Sequence, residues 1–230
     1  MTQENQAGGR RTSVDEIFDD LYDDITSMRL RPGDRISEAD IAAKFGVSRQ
    51  PVRDAFSRLE NLNLLLIRPQ RATEVRRFSA REIEKSRFVR AAVEAEVFRR
   101  AARLCDDGGE ALLEKCLADQ RKVIAEQDYE AFGALDYAFH KLLCEIAKVD
   151  FAFDVIRSEK AKVDRLCMLG LAKEDRMPQL LDDHGAIVAA VTGGDEEKAV
   201  EAGMIHLSRL DATIERISAI NANYFETETE

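Results

Sequence analysis

Histidine is scarce in this 230-residue chain: three are present, and all fall in the second half. Long apolar runs are also missing. No stretch approaches the roughly 18 apolar residues that a membrane-spanning helix needs. The first nine residues are polar and lack the apolar segment of a secretory signal peptide, so a cytoplasmic location is expected. The four cysteines, Cys105, Cys116, Cys144 and Cys167, show no C-x-x-C spacing and read as small buried hydrophobes rather than metal ligands. A His-Glu-x-x-His motif, a nucleophile elbow and a glycine-rich phosphate loop are absent, so the common marks of a hydrolase or nucleotide-binding enzyme are lacking.

What is present describes an ordered chain, 45% apolar and 34% charged, long enough for one large domain or two modest ones. The net charge of −10 argues at first against nucleic acid. Its distribution argues the other way. Between Ser48 and Arg77 seven arginines face only Asp54, Glu60 and Glu74, a net of +4 that leaves −14 on the rest. A basic stripe on an acidic body is an electrostatic footprint for phosphate.

Residues 1–12 read as a disordered arm. Ser13-Val14-Asp15-Glu16 has the form of a capping box, followed by Ile17, Leu21, Ile25 and Met28 at helical spacing. Arg31-Pro32-Gly33-Asp34 is a turn. Ser37 starts a short helix, Gly46 supplies its left-handed stop, and Ser48 caps the next helix, running to Glu60 with Pro51 in its first turn. That is a helix-turn-helix, with Ser48, Arg49, Gln50 and Arg53 at the end of the second helix that meets base edges. Residues 64–68 and 73–76 form a hairpin, a wing with Arg71 at its tip. Arg77-Phe78 is the expected linker. Beyond it the spacing predicts helices over 83–104, 111–125, 129–147, 151–171 and 177–191 and a last one from Asp195 towards Tyr224, with 106–109 as a break. The expected fold is therefore mainly α: a winged helix-turn-helix at 13–77 and an antiparallel all-α bundle at 78–230.

The stretch from Arg31-Pro32-Gly33-Asp34 to Val47-Ser48-Arg49-Gln50-Pro51-Val52-Arg53-Asp54-Ala55 resembles the winged helix-turn-helix of GntR-family bacterial transcription regulators. The second half resembles the ligand domain of the FadR-type subfamily, the FCD domain. The features that carry it are Arg87 to Glu94, Asp136-x-x-x-His140, His184-Gly185-Ala186-Ile187-Val188 and His206. The resemblance implies DNA contacts by Ser48, Arg49, Gln50 and Arg53, and metal ligation by Asp136, His140, His184 and His206. Two positions depart from the family pattern. Ala39 stands where many relatives carry arginine, and Ala72 replaces a wing glycine, which predicts a less permissive tip.

A single helical histidine is usually a core or surface residue, and an i, i+4 Asp/His pair is often a plain salt bridge. The composite weighs more, because every histidine of the chain falls at a ligand position. Imidazole suits zinc, nickel, copper or iron, and the carboxylate admits manganese; zinc or nickel is the first expectation. Open coordination positions imply a carboxylate effector: a sugar acid, hydroxy acid or dicarboxylate. Arg90 matches a family position near the cavity, and Arg165 is a second candidate to clamp the anion. The plain alternative pairs Arg90 with Glu94, and Arg165 with Asp164 or Glu159. The expected protein is a homodimeric repressor on a palindromic operator, not an enzyme. A regulator whose effector is the ion itself and, from another class, a metal-dependent hydrolase are the alternatives.

Overall fold

The computed structural model describes residues 12–163, 165–166 and 176–226. The expected arm up to residue 11, Cys167 and the distal part of the expected 151–171 helix lie outside the described residues. The chain divides into two compact units, Met1–Arg77 and Phe78–Glu230.

In the first unit, helix α1 (Ser13–Thr26) is capped one residue before the expected Ser13. Thr12 is the N-cap: its hydroxyl accepts from the Asp15 amide at 3.2 Å, and the Asp15 carboxylate accepts from the Thr12 amide at 3.2 Å. The reciprocal box is thus Thr12/Asp15, not Ser13/Glu16, and Met28 lies outside the helix at φ 63°. Helix α2 (Glu38–Phe45) is capped by the Ser37 hydroxyl and closed by Gly46 at φ 64°, a conformation glycine adopts without a Cβ penalty. Helix α3 (Arg49–Asn61) buries Val52, Ala55, Phe56 and Leu59 against Ile17, Leu21 and Ile25.

Three short antiparallel strands complete the unit in the order β1 (Arg35–Ile36), β3 (Thr73–Val75), β2 (Leu65–Leu66), with Arg35 opposite Glu74 and Leu65 opposite Val75. The wing strands are shorter than expected, and β1 was not expected at all; two residues are too few to show alternation. At the wing turn the Arg71 amide donates to the Arg68 carbonyl at 3.3 Å, and the left-handed residue is Gln70, at φ 59°. Ala72 keeps an ordinary backbone, so the lost glycine does not strain the tip.

The second unit is a bundle of α4 (Ala80–Leu104), α5 (Asp107–Ala125), α6 (Tyr129–Ile146), α7 (Ala152–Ala161), α8 (Met177–Thr192) and α9 (Glu196–Ile220). The break expected over 106–109 narrows to Cys105 and Asp106. The Asp106 carboxylate accepts from the Gly109 amide at 2.8 Å, so the acid caps a helix that begins at Asp107. Helix α9 stops at Ile220 and a short 3-10 turn spans Ala222–Tyr224. Phe78, expected in a linker, is buried. Its amide donates to the Tyr224 carbonyl and its carbonyl accepts from the Glu226 amide, both at 2.8 Å, and its ring packs on Phe225.

Phe98, Leu113, Phe139, Leu143, Ile156, Ile187 and Val191 form the bundle's apolar core. Burying side chains of this size stabilises by about 1.5–3 kcal/mol each. Helices α4 and α9 approach closely where Gly203 faces Phe98. No helix among the described residues is long and apolar enough to cross a membrane.

Candidate functional site

Polar side chains interrupt the apolar stripes of α6, α8 and α9. On α6 the inward residues run Phe132, Asp136, Phe139, His140, Leu143; α8 adds Asp183 and His184 beside Ile187, and α9 adds His206 between Gly203 and Thr213. Packing these three helices brings the donor atoms of Asp136, His140, His184 and His206 within 4.8 Å of one another, all buried. The His184 and His206 ring centres are 4.6 Å apart, and those of His140 and His206 5.4 Å.

A surrounding layer fixes two of the rings. The Nδ1 of His184 lies 2.7 Å from Oε1 of Gln120 on α5. The Nδ1 of His140 lies 2.6 Å from Oε2 of Glu94 on α4, an electrostatic contact rather than an in-line hydrogen bond. The other oxygen of Glu94 accepts from Arg90 Nε at 2.7 Å. Asp183 accepts a forked pair from Arg209 at 2.9 and 3.0 Å and sits 3.9 Å from Nδ1 of His206. The Nε2 atoms of His140 and His184 and Nδ1 of His206 are buried with no hydrogen-bond partner. Each such orphan costs about 1–3 kcal/mol, which a cation accepting their lone pairs removes.

Electrostatics prepares the same atoms. Burial pushes the His184 ring below its usual pKa, against a neighbouring Asp136. Burial and the neighbouring histidines put His206 well below it. Both rings are therefore neutral donors near neutral pH. Burial opposes ionisation of Asp136, but the Lys160 ammonium and His184 hold its carboxyl well below the usual range. Burial likewise opposes Glu94, yet Arg90 and His140 bring it to about 2. Three imidazoles and one carboxylate are a donor set that fits a divalent transition ion.

On the first unit, Ser48, Arg49, Gln50 and Arg53 are exposed together at the start of α3. The Ser48 hydroxyl makes no cap hydrogen bond, leaving it available to a ligand. Gln50 donates to Asp54 at 2.9 Å and Arg53 to Glu38 at 2.9 Å. Arg71 is exposed on the wing turn.

Comparison with known proteins decides the family. Residues 13–75 match the model of "Bacterial regulatory proteins, gntR family", and residues 86–209 match the FCD domain. The chain belongs to the GntR family, with an FCD domain. The HTH-type transcriptional repressor RspR of Escherichia coli K12 is 33% identical over 228 residues, covering 99% of this chain and 100% of that protein. A probable D-xylose utilization operon transcriptional repressor of Paenarthrobacter nicotinovorans is 28% identical, covering 93% and 94%. Among solved structures, a putative GntR regulator from Rhodococcus sp. RHA1 superposes with a TM-score of 0.68 at 24% identity, over 90% of this chain and 98% of that one. This GntR protein is a transcription regulator rather than an enzyme, which sets the hydrolase alternative aside.

Within the regulator, the four candidate ligands converge. The two candidate effector arginines are both buried, in different settings. Arg90 makes the salt bridge to Glu94, and the Arg165 guanidinium lies 4.7 Å from the Phe78 ring centre. Glu159, one alternative partner for Arg165, holds Lys162 at 2.7 Å; the other, Asp164, lies outside the described residues. Sequence reasoning gave no site role to Glu94, Gln120, Lys160 or Asp183. A signal existed for Gln120 and Lys160: each falls on an apolar stripe, Leu113-Cys116-Leu117-Gln120 and Ala152-Ile156-Lys160.

Proposed function

We propose that this regulator is a repressor whose hold on its operator is modulated by a small carboxylate bound at a divalent metal in the FCD bundle. Asp136, His140, His184 and His206 hold the ion, with Gln120 and Glu94 orienting two of the rings. Zinc or nickel suits the set best; manganese and iron are compatible. The ion, when bound, supplies positive charge with open coordination positions, and Arg90 and Arg165 add guanidinium groups for a carboxylate. The observation that carries the reading is the buried cluster of orphaned imidazole nitrogens around Asp136.

On the DNA side, Ser48, Arg49, Gln50 and Arg53 enter a major groove and Arg71 of the wing meets the backbone or minor groove. A homodimer presents two such heads to a palindromic operator. Effector binding shifts the operator equilibrium by no more than its differential affinity for the two states, typically about 1–3 kcal/mol. Relatives named for D-xylose and gluconate operons support a metabolic operon as target.

A thermal-shift panel of sugar acids, hydroxy acids and dicarboxylates tests this on metal-loaded and chelator-treated protein. A ligand at about 100 times its Kd stabilises by about 2.7 kcal/mol. A shift that disappears with chelator supports the reading, whereas equal shifts in both samples detach the effector from the metal. If the ion alone changes operator affinity and no acid adds to it, the ion is the effector. The burial of all four ligands is the observation that admits this second reading.

A further inference from the structure

Asp136 is the one candidate ligand with two donor oxygens, and they face different neighbours. Oδ1 turns to the histidines, 3.3 Å from His184 Nε2 and 3.9 Å from His140 Nε2. Oδ2 lies 3.2 Å from the Nζ of Lys160. Lys160 reaches it from the last turn of α7, is buried, and holds its ammonium 4.2 Å from the centre of the Tyr137 ring. Lysine is almost never buried unless paired. Here the ion pair to Asp136 and the face of Tyr137 together fix where the amine sits.

We infer that Lys160 is a positioning residue that confines Asp136 to a single metal-facing oxygen and so sets the ion preference of the site. The inference rests on the metal-site reading above. An unrestrained carboxylate can chelate an ion through both oxygens, adding a hard donor. With Oδ2 held by an ammonium, the protein donor set stays at three nitrogens and one oxygen. That set favours ions that prefer imidazole and disfavours manganese, which gains most from oxygen donors. It also keeps one more coordination position open for an exogenous oxygen. The positive charge beside the ligand lowers affinity for any cation, so its benefit lies in selectivity and in the open position.

The test counts water on the bound ion. Manganese is titrated into the wild-type protein and the water-proton relaxation of the complex is measured. An octahedral ion with four protein donors keeps two waters and one with five keeps one, so two waters are expected for the wild type. One water in the wild type means that Asp136 already chelates, and overturns the inference. In Lys160→Met the released oxygen displaces a water: the inner-sphere relaxation is roughly halved and the manganese-to-nickel affinity ratio rises about tenfold, the scale of second-layer changes at metal sites. Lys160→Arg, whose guanidinium can hold Oδ2 and face Tyr137, restores both values. Unchanged water count and affinity ratio in a folded Lys160→Met protein overturn the inference. If the wild type binds neither manganese nor nickel, the metal-site reading itself fails, a result distinct from an unchanged variant.

Discussion

Gln120 and His184 meet inside the bundle with Oε1 of the amide 2.7 Å from Nδ1 of the ring, both side chains fully buried. The amide nitrogen of Gln120 faces Cys116 Sγ at 3.6 Å, which leaves its oxygen for the ring. Only a protonated Nδ1 makes this a hydrogen bond, so the lone pair of His184 is confined to Nε2, the atom turned to Asp136. Gln120→Leu removes the acceptor and frees the ring to change tautomer. Metal affinity is expected to fall by about 10–100-fold. Competition against a chromogenic chelator measures it, and unchanged affinity would show that the amide does not orient the ligand.

His184→Ala removes a central donor. The purified variant is expected to carry little bound ion in elemental analysis while the wild type carries one per chain. Stoichiometric metal in the variant would mean that the ligands are misassigned.

Acid should destabilise the metal-free protein in two stages. The folded chain keeps His184 and His206 below the ordinary value of 6.5, while the unfolded chain takes up protons there. Their contribution is whole above pH 6.5 and falls as the pH drops below it, by about 1.4 kcal/mol per pH unit for each group while the folded ring stays neutral. Glu94, brought from 4.5 to about 2, adds a second loss between those values. Urea unfolding of chelator-treated protein at pH 8, 6.5 and 5 reads the first stage. Equal stability at pH 8 and 5 would contradict it.

At the reading helix, Arg49→Ala should cost about 1–3 kcal/mol of specific binding if the side chain reads a base, with much less effect on random DNA. Arg53 is paired with Glu38 at 2.9 Å, so a phosphate must compete with that carboxylate. Glu38→Gln should therefore tighten binding to operator and random duplexes alike, by up to about 1 kcal/mol, the scale of an exposed ion pair. Fluorescence anisotropy on both duplexes separates these outcomes.

Gly203→Ala ought to stabilise α9 by helix propensity alone, by about 1 kcal/mol. A Cβ there would lie 2.1 Å from Cε2 of Phe98, a fully buried ring. Overpacking of that kind costs about 1–3 kcal/mol, so a net loss in Tm is expected. A rise would mean that α4 and α9 separate more easily than their contact implies.

The sequence was most legible where one residue controls a local event. Ser37, Gly46 and Asp195 end or start helices as their chemistry dictates. The start of α5 was misread because Asp107-Gly108-Gly109 follows Asp106, and glycine beside aspartate reads as a loop unless a carboxylate caps a helix. The clustering of Asp136 with the three histidines was legible because histidine is rare in this chain. Its supports were not: Glu94, Gln120 and Lys160 belong to residue types that usually face water, and only the packing of α4, α5 and α7 around the cluster turns them inward. Phe78 looked like a linker because its partner, Phe225, stands at the far end of the sequence.

That pairing bears on the order in which a ribosome completes the protein. The first unit finds its apolar partners between Ile17 and Val75 and has everything it needs to fold early in synthesis. The bundle does not: α4 packs on α9, and Phe78 waits for Tyr224 and Glu226. A nascent chain therefore carries a finished DNA-reading head while its FCD half is still open, and stalled translation would release heads without a folded bundle.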